Sequence, residues 1–130
     1  MKKYFFVFVL IVSLIVVTGS VLAFKLEVEV SENLMITHIK PVLEKQNDTD
    51  VGTMVVEVTI KNIGNKPAQF IVFASGKEEG GWASGRTILP KDGQLMPQDT
   101  IKGKIKTEYE GKELPSIIKI EGFEKMFETW

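Results

Sequence analysis

The stretch VVEVTIKNIGNKPAQFIVF, from Val55 to Phe73, decides the fold class. Its first half alternates apolar and polar residues, which is typical of a strand with one buried face. A chain reversal follows, because asparagine and glycine tolerate positive φ and proline fixes φ; its residues are Asn62, Gly64, Asn65 and Pro67. The second half is apolar on both faces, which predicts a central strand or one whose second face is covered.

The same period-two alternation recurs from Phe24 to Gly122, and no long helical stripe interrupts it. Several short strands separated by turn residues are typical of two packed antiparallel sheets. We therefore predict an all-β sandwich of about seven strands over residues 24–122. Pro41 is predicted to interrupt its strand and to confine it to a sheet edge or a bend, and GKEEGGWASG is predicted to be a glycine-rich loop. The side chains predicted to point inward include Leu26, Val28, Val30, Met54, Val56, Val58, Ile60, Phe70, Val72, Ala74, Ile101, Ile105, Ile118 and Ile120.

Residues 1–23 have the composition of a targeting segment. Lys2 and Lys3 precede an almost wholly apolar run, which ends in small residues at Val21-Leu22-Ala23, as a signal peptidase site requires. Cleavage would leave Phe24 at the N-terminus. The run is also long enough to cross a membrane as a helix, with the lysines inside. Either alternative, a signal peptide or an N-terminal transmembrane anchor, predicts a hydrophobic helix followed by an extracytoplasmic domain.

Charge and cysteine content exclude several classes of site. Without cysteine there is no lipoprotein anchor, disulfide, thiol nucleophile or thiolate metal site. Removing Lys2 and Lys3 from the 16 basic residues leaves a net charge of about −3 against 17 acidic residues. We expect no basic face of the kind that binds nucleic acid, and so no nucleic-acid partner.

Three segments carry a resemblance to a known family: VEVTIKNIGNKPAQF, LMPQDTIKGKIKTEY and LPSIIKIEGF. The chain resembles the telokin-like, immunoglobulin-like domains of unknown function found in small exported proteins and lipoproteins. In those domains a strand ends in Asn-x-Gly before a turn, and a later Leu-x-Pro-Gly-(Glu/Asp)-(Thr/Ser) turn leads into a strand. Gln98 stands here where glycine is usual. The resemblance implies an immunoglobulin-like sandwich and no particular activity.

No constellation of residues predicts catalysis. His38 is the only histidine, so it cannot form a catalytic triad or a histidine zinc site, and we expect it to be structural or simply exposed. The glycine-rich stretch lacks the Gly-Lys-Ser/Thr of a phosphate-binding loop. The clusters Glu78-Glu79 and Glu108/Glu110/Glu113 alternate with lysines as a solvated sheet face does. We predict no enzyme, no catalytic residue and no cofactor.

The acidic loop NDTD was considered as a cation site. Asn47, Asp48 and Asp50 lie close in sequence, but no glutamate follows at the interval of a calcium-binding loop, so no metal site is predicted. Asn47-Asp48-Thr49 is a glycosylation sequon, usable if the host glycosylates exported proteins.

Aromatic residues are the best candidates for binding. Trp82, on the predicted loop, is either a binding anchor or a plug for the sandwich edge. Residues 123–130 form a short amphipathic tail, in which Phe127 and Trp130 share one face of a predicted two-turn helix with Phe123 and Met126. That helix either packs on the sandwich or waits for a partner.

Three functions remain open from the sequence. The first is a non-enzymatic extracytoplasmic binding or assembly module whose partner is a protein or envelope component, with membrane attachment if residues 1–23 are retained. The second is a filament or envelope subunit that exchanges an edge strand, with FKLEVEV as donor. The third is a proteinase inhibitor, for which KEEGGWASGR would be the exposed loop.

Overall fold

The computed structural model describes residues 5–17, 20–45 and 50–125, with side chains from Phe24 onward. In this part of the chain eight strands and no helix are present. The strands are β1 Phe5–Val17, β2 Ser20–Ser31, β3 Leu34–Lys45, β4 Gly52–Asn62, β5 Phe70–Glu78, β6 Gly81–Leu89, β7 Thr100–Gly111 and β8 Ile117–Glu124. The all-β prediction is confirmed.

The strands form two sheets. One sheet has the order β1-β2-β8-β5-β6 and the other the order β3-β4-β7. Neighbouring strands are antiparallel except β2 and β8, which run parallel from Lys25 beside Ile117 to Val30 beside Gly122. Pro41 lies in β3, an edge strand, as predicted, although it does not interrupt that strand.

One core lies between the sheets and is built from the predicted inward positions. Because successive side chains on a strand point to opposite faces, the alternation of the sequence transfers directly into burial. Phe70 is fully buried while its neighbours on β5 are partly exposed on the outer face. The buried core residues include Leu26, Val28, Val30, Met54, Val56, Val58, Ile60, Phe70, Val72, Ala74, Ile105, Ile118 and Ile120.

The reversal between β4 and β5 is fixed by Asn62 rather than by positive φ. Asn62 is fully buried, and its Nδ2 donates to the carbonyl oxygens of Lys66 and Leu95, each at 2.8 Å, while its Oδ1 accepts from the Gly64 amide at 2.8 Å. Positive φ occurs instead at Gln98, Gly80 and Gly93 among the described residues. Asn62 therefore ties the first turn to the segment before β7.

The predicted N-terminal helix is wrong for the described residues. Phe5–Val17 is strand β1, which pairs antiparallel with β2 from Phe5 beside Ser31 to Val17 beside Ser20. The segment is rich in phenylalanine, valine and isoleucine, which favour strands, and periodicity alone cannot distinguish a buried strand from a helix in a continuous apolar run. Signal peptide and anchor both stay predictions.

The predicted C-terminal helix is also wrong in its first residues. Strand β8 continues through Phe123 to Glu124, because Phe123 pairs with Ile71 of β5 and keeps the alternation of the strand. Met126, Phe127 and Trp130 lie outside the described residues, so the rest of that prediction stays a prediction.

Candidate functional site

Trp82 lies on a strand, so the loop predicted for GKEEGGWASG is wrong. Strands β5 and β6 form a hairpin closed by Glu79 and Gly80, where Gly80 has a φ of 86°. Positive φ costs glycine little, which allows so short a turn. The other glycines permit close approach of strands: a Cβ on Gly76 would lie 2.8 Å from Pro115, and one on Gly85 would collide with the backbone of Lys106.

Trp82 lies on the outer face of the larger sheet between two lysines. Its side chain is 42% exposed. The ring centroid is 5.2 Å from Nζ of Lys77, which is directly opposite on β5, and 4.9 Å from Nζ of Lys119 on β8. The ring therefore extends from edge strand β6 across β5 towards β8. Ammonium groups at these distances are attracted to the face of the indole ring.

An aromatic and aliphatic cluster lies on the same outer face. Phe73 and Phe123 meet edge to face, with ring centroids 6.2 Å apart and planes at 68°. Ile71 lies between Ile88 and Phe123 in the registers of the sheet. All four side chains are partly exposed. This confirms that β5 is a central strand with apolar residues on both faces, and it gives the Trp82 face an apolar half beside a cationic half.

The smaller sheet carries a basic outer face that the sequence analysis missed. Lys102, Lys104 and Lys106 alternate on β7, and in register Lys104 lies beside Glu57, which lies beside Lys40 of β3. The four lysines are exposed. Lys25 and Glu27 form an ion pair at 3.5 Å, whereas Glu57 forms none with the described lysines beside it in register.

Net charge does not reveal this segregation of charge between faces, and the absence of a nucleic-acid partner stays a prediction. The alternation KGKIK, residues 102–106, was the available signal. A shallow depression of about 280 Å³ lies on this face, lined by His38, Glu57, Val58, Thr59, Lys102, Gly103 and Lys104. His38 is exposed on edge strand β3, one of the two outcomes expected for it.

Carboxylates gather at the end of the sandwich where β7 stops. The Tyr109 hydroxyl donates to the carbonyl oxygen of Glu113 at 3.0 Å. Partial burial raises the pKa of Tyr109 above its ordinary value, and the nearby carboxylates of Glu78 and Glu113 raise it further. Within the described ranges no three histidine, cysteine, aspartate or glutamate side chains are arranged to hold a metal ion.

The remaining predicted site residues are not brought together. Phe127 and Trp130 lie outside the described residues, as do Asn47 and Asp48 of the acidic loop and sequon. Trp82 is thus the one predicted binding residue with a described environment. In the part of the chain that the structure covers, no helix is long and apolar enough to span a membrane.

Comparison with known proteins adds no family to this description. The chain matches no family model, and neither a curated protein nor a solved structure is significantly similar to it.

Proposed function

We propose that the protein is a non-enzymatic extracytoplasmic binding or assembly module, and that the outer face around Trp82 binds its partner. The observation that carries this proposal is the 42% exposure of Trp82 between two lysines and beside a partly exposed aromatic pair. Tryptophan contributes unusually large contact energy when it is buried in an interface. A protein or envelope component with acidic groups around an apolar patch would match both halves of this face.

We also infer an immunoglobulin-like architecture of the telokin-like kind. In such sandwiches one sheet contains strands A, B and E, and the other contains F, C and, in some, C′. The order β3-β4-β7 corresponds to A-B-E, and β8-β5-β6 corresponds to F-C-C′. The correspondence fails beside F, where an antiparallel strand G is usual and this chain has the parallel strand β2.

Turn geometry supports the same family resemblance. Gln98 occupies the position where those domains have glycine, and its φ is 72°, a conformation that favours glycine. The Gln98 amide donates to the carbonyl oxygen of Asn62 at 2.7 Å, so the two turn motifs of the resemblance are hydrogen-bonded to each other. The same need for positive φ at this position of the turn supports a shared fold.

Export rests on the sequence of residues 1–23. The intact mass of protein recovered from membrane and medium tests it: protein beginning at Phe24 supports a signal peptide, and full-length protein held in the membrane supports an anchor. Full-length protein in the cytoplasm would overturn the extracytoplasmic assignment.

The binding face is tested with Trp82→Ala, using Met96→Ala as the matched control. Met96 is 53% exposed on the segment between β6 and β7, so its removal also deletes an exposed apolar side chain. We expect Trp82→Ala to weaken co-sedimentation with envelope fractions of the source cells by at least about tenfold, the effect of a contact worth roughly 1.4 kcal/mol. Melting temperatures should remain close to that of the wild type.

Fluorescence gives an independent measurement. With Trp130→Phe, Trp82 is the only tryptophan left in the chain. Its emission should then change saturably as envelope material is added, because the ring leaves water on binding. Equal co-sedimentation of Trp82→Ala and wild type, with no change in emission, would overturn the proposed face.

A filament or envelope subunit is the second candidate, favoured by the position of β2 beside β8. No comparable observation supports the proteinase inhibitor, because the segment KEEGGWASGR, which would form its exposed loop, is part of a paired hairpin.

A further inference from the structure

Strand β2 is the part of the core that is least tied to the rest of the sandwich. It contributes Leu26, Val28 and Val30, which are 6%, 8% and 5% exposed. Its contacts with the rest of the larger sheet are made through β8 alone, in the one parallel ladder among the described strands. On its other side it meets only β1, the segment that export processing at Ala23 would remove. Processing would leave β2 as an N-terminal edge strand.

The connection from β2 to β3 is a hinge of two residues. Glu32 and Asn33 carry the chain from the larger sheet to the smaller one. Asn33 holds the turn closed, because its Nδ2 donates to Oε1 of Glu124 at 3.0 Å and its carbonyl oxygen accepts from the Ile63 amide at 3.0 Å. If these two residues straighten after β1 has been removed, β2 becomes an extension of β3 and leaves the domain, and the ladder with β8 is the one strand pairing that is lost. Short hinge turns of this kind favour exchange between copies.

The slot that β2 would leave beside β8 can be filled by a strand. The edge of β8 from Ile117 to Gly122 loses its hydrogen-bonding partner, and the core side chains Ile118 and Ile120 lose their cover. Gly122 makes the slot narrow, because a Cβ there would lie 2.5 Å from Leu34 and 3.7 Å from Val30. An exposed apolar slot beside an unpaired strand edge is readily filled by an added strand.

We propose that β2 of one copy fills this slot in a second copy, so that the protein assembles by exchange of its N-terminal strand. The second copy is the occupant because its β2 is the same segment, with the same inward residues and the same parallel register on β8. Reciprocal exchange gives a closed dimer, and head-to-tail exchange gives a filament. The inference rests on the proposed assembly role and deepens it by naming the partner and the contact.

Engineered cysteines test the exchange directly, because the natural chain has none. Glu27 of β2 and Lys119 of β8 are partners in register on the outer face. Neighbouring strands lie about 4.8 Å apart, within the span of a disulfide. The full chain is expressed with export as two single variants, Glu27→Cys and Lys119→Cys, which are mixed, partly unfolded in denaturant, refolded together at high concentration and only then oxidised.

The control pair is Ser75→Cys with Ser84→Cys, treated in the same way. These residues are partners in register on β5 and β6, a hairpin that does not exchange. We expect the mixed Glu27→Cys and Lys119→Cys variants to form a disulfide between chains, and the control mixture to remain at background. The double variant Glu27→Cys/Lys119→Cys should form the same disulfide, joining chains into dimers or longer ladders on a denaturing gel.

Light scattering on the wild type needs no cysteine. Exchange predicts a molar mass of at least twice that of one chain after refolding at high concentration; the full-length chain is 14.6 kDa. Wild-type protein that stays at the mass of one chain, together with a Glu27–Lys119 yield no higher than the control, would overturn the proposal. The result is independent of the Trp82 test, since Trp82→Ala leaves β2 and β8 intact and should exchange as the wild type does.

Discussion

Val72 of β5 and Val28 of β2 point into the same core from the same sheet, but their strands are held very differently. Strand β5 is flanked by antiparallel partners on both sides and joined to one of them by a hairpin. Strand β2 lies parallel to β8 on one side and pairs on the other only with β1, which processing at Ala23 would remove. Burial therefore measures what a strand contributes to the core, whereas topology determines whether the strand can leave it.

Four strands, β4, β5, β7 and β8, cannot leave the sandwich in this way, and we call them the interlocked set. Strands β4 and β7 pair in one sheet, β5 and β8 pair in the other, and the chain crosses between sheets from β4 to β5 and again from β7 to β8. Removing any one of them breaks both a ladder and a crossing. Asn62 reinforces this interlocked set, since its side chain and backbone bind the turn before β7. Mutations in the interlocked set and in β2 should therefore behave differently.

Phe70→Ala should have the largest effect. Phe70 is the largest of the fully buried side chains and lies on β5, inside the interlocked set. Its truncation leaves a cavity in the core and should lower the free energy of unfolding by about 3 to 5 kcal/mol. Denaturant titration measures the loss. Glu57→Ala, on the outer face of β4, should change stability by about 0.5 kcal/mol or less, and equal losses from the two variants would refute the assigned faces.

Asn62→Ala should follow, at about 3 kcal/mol, because it removes three side-chain hydrogen bonds worth about 1 kcal/mol each. The bond to the carbonyl oxygen of Leu95 is the side-chain link between the two turns. The matched control is Asn65→Ala in the same reversal, where the side chain is exposed and the change should stay within about 0.5 kcal/mol. Thermal and denaturant unfolding of both variants decide the matter. A small loss at Asn62 would mean that water replaces its hydrogen bonds and that the turns are not coupled.

Paired valine substitutions test whether β2 is held less firmly than β5. Val72→Ala and Val28→Ala each remove two methyl groups from the core, a transfer cost of about 1.6 kcal/mol before any cavity forms. Val72 is fully buried and fixed on both sides, so we expect a further cavity cost and a total of about 2.5 kcal/mol. Val28 lies on a strand that can shift against β8, so its loss should be about 1 kcal/mol smaller. Equal losses would mean that β2 is as firmly held as β5.

Most of the fold could be predicted from the sequence because alternation translates directly into faces. All the residues predicted to point inward on β4 and β5 are buried, although β4 also buries Thr53, Val55 and Asn62, and Pro41 lies on an edge strand as predicted. Pairing between strands could not be predicted in the same way. The parallel contact of β2 with β8 joins segments at opposite ends of the described chain, and nothing in either segment specifies its partner.

Glycines account for the main local error. The glycines around Trp82 were assigned to a loop, but Gly76 and Gly85 lie in strands where Pro115 and the backbone of Lys106 approach closely. Glycine is favoured both in a flexible loop and where another chain segment approaches the backbone closely, so composition alone cannot distinguish the two. The basic face has a different origin: three of its four lysines alternate on β7, but only the register of the sheet brings Lys40 of β3 to the same face, on the far side of Glu57.

Gln98→Gly should have the smallest effect and the opposite sign. Gln98 has a φ of 72° in the turn that is hydrogen-bonded to Asn62, and its side chain is exposed. Glycine at this position would therefore relieve backbone strain without removing a buried contact. We expect the free energy of unfolding to rise by about 1 kcal/mol.

Gly93→Ala is the reciprocal control. Gly93 has a φ of 78° and open space around it, so alanine there should lower the free energy of unfolding by about 1 kcal/mol through backbone strain alone. Since the Gln98 amide donates to Asn62 in the interlocked set, the stabilised variant should melt later yet exchange its N-terminal strand to the same extent once refolded. A change in exchange with Gln98→Gly would mean that the turn also governs β2, and the distinction between the two regions would then be wrong.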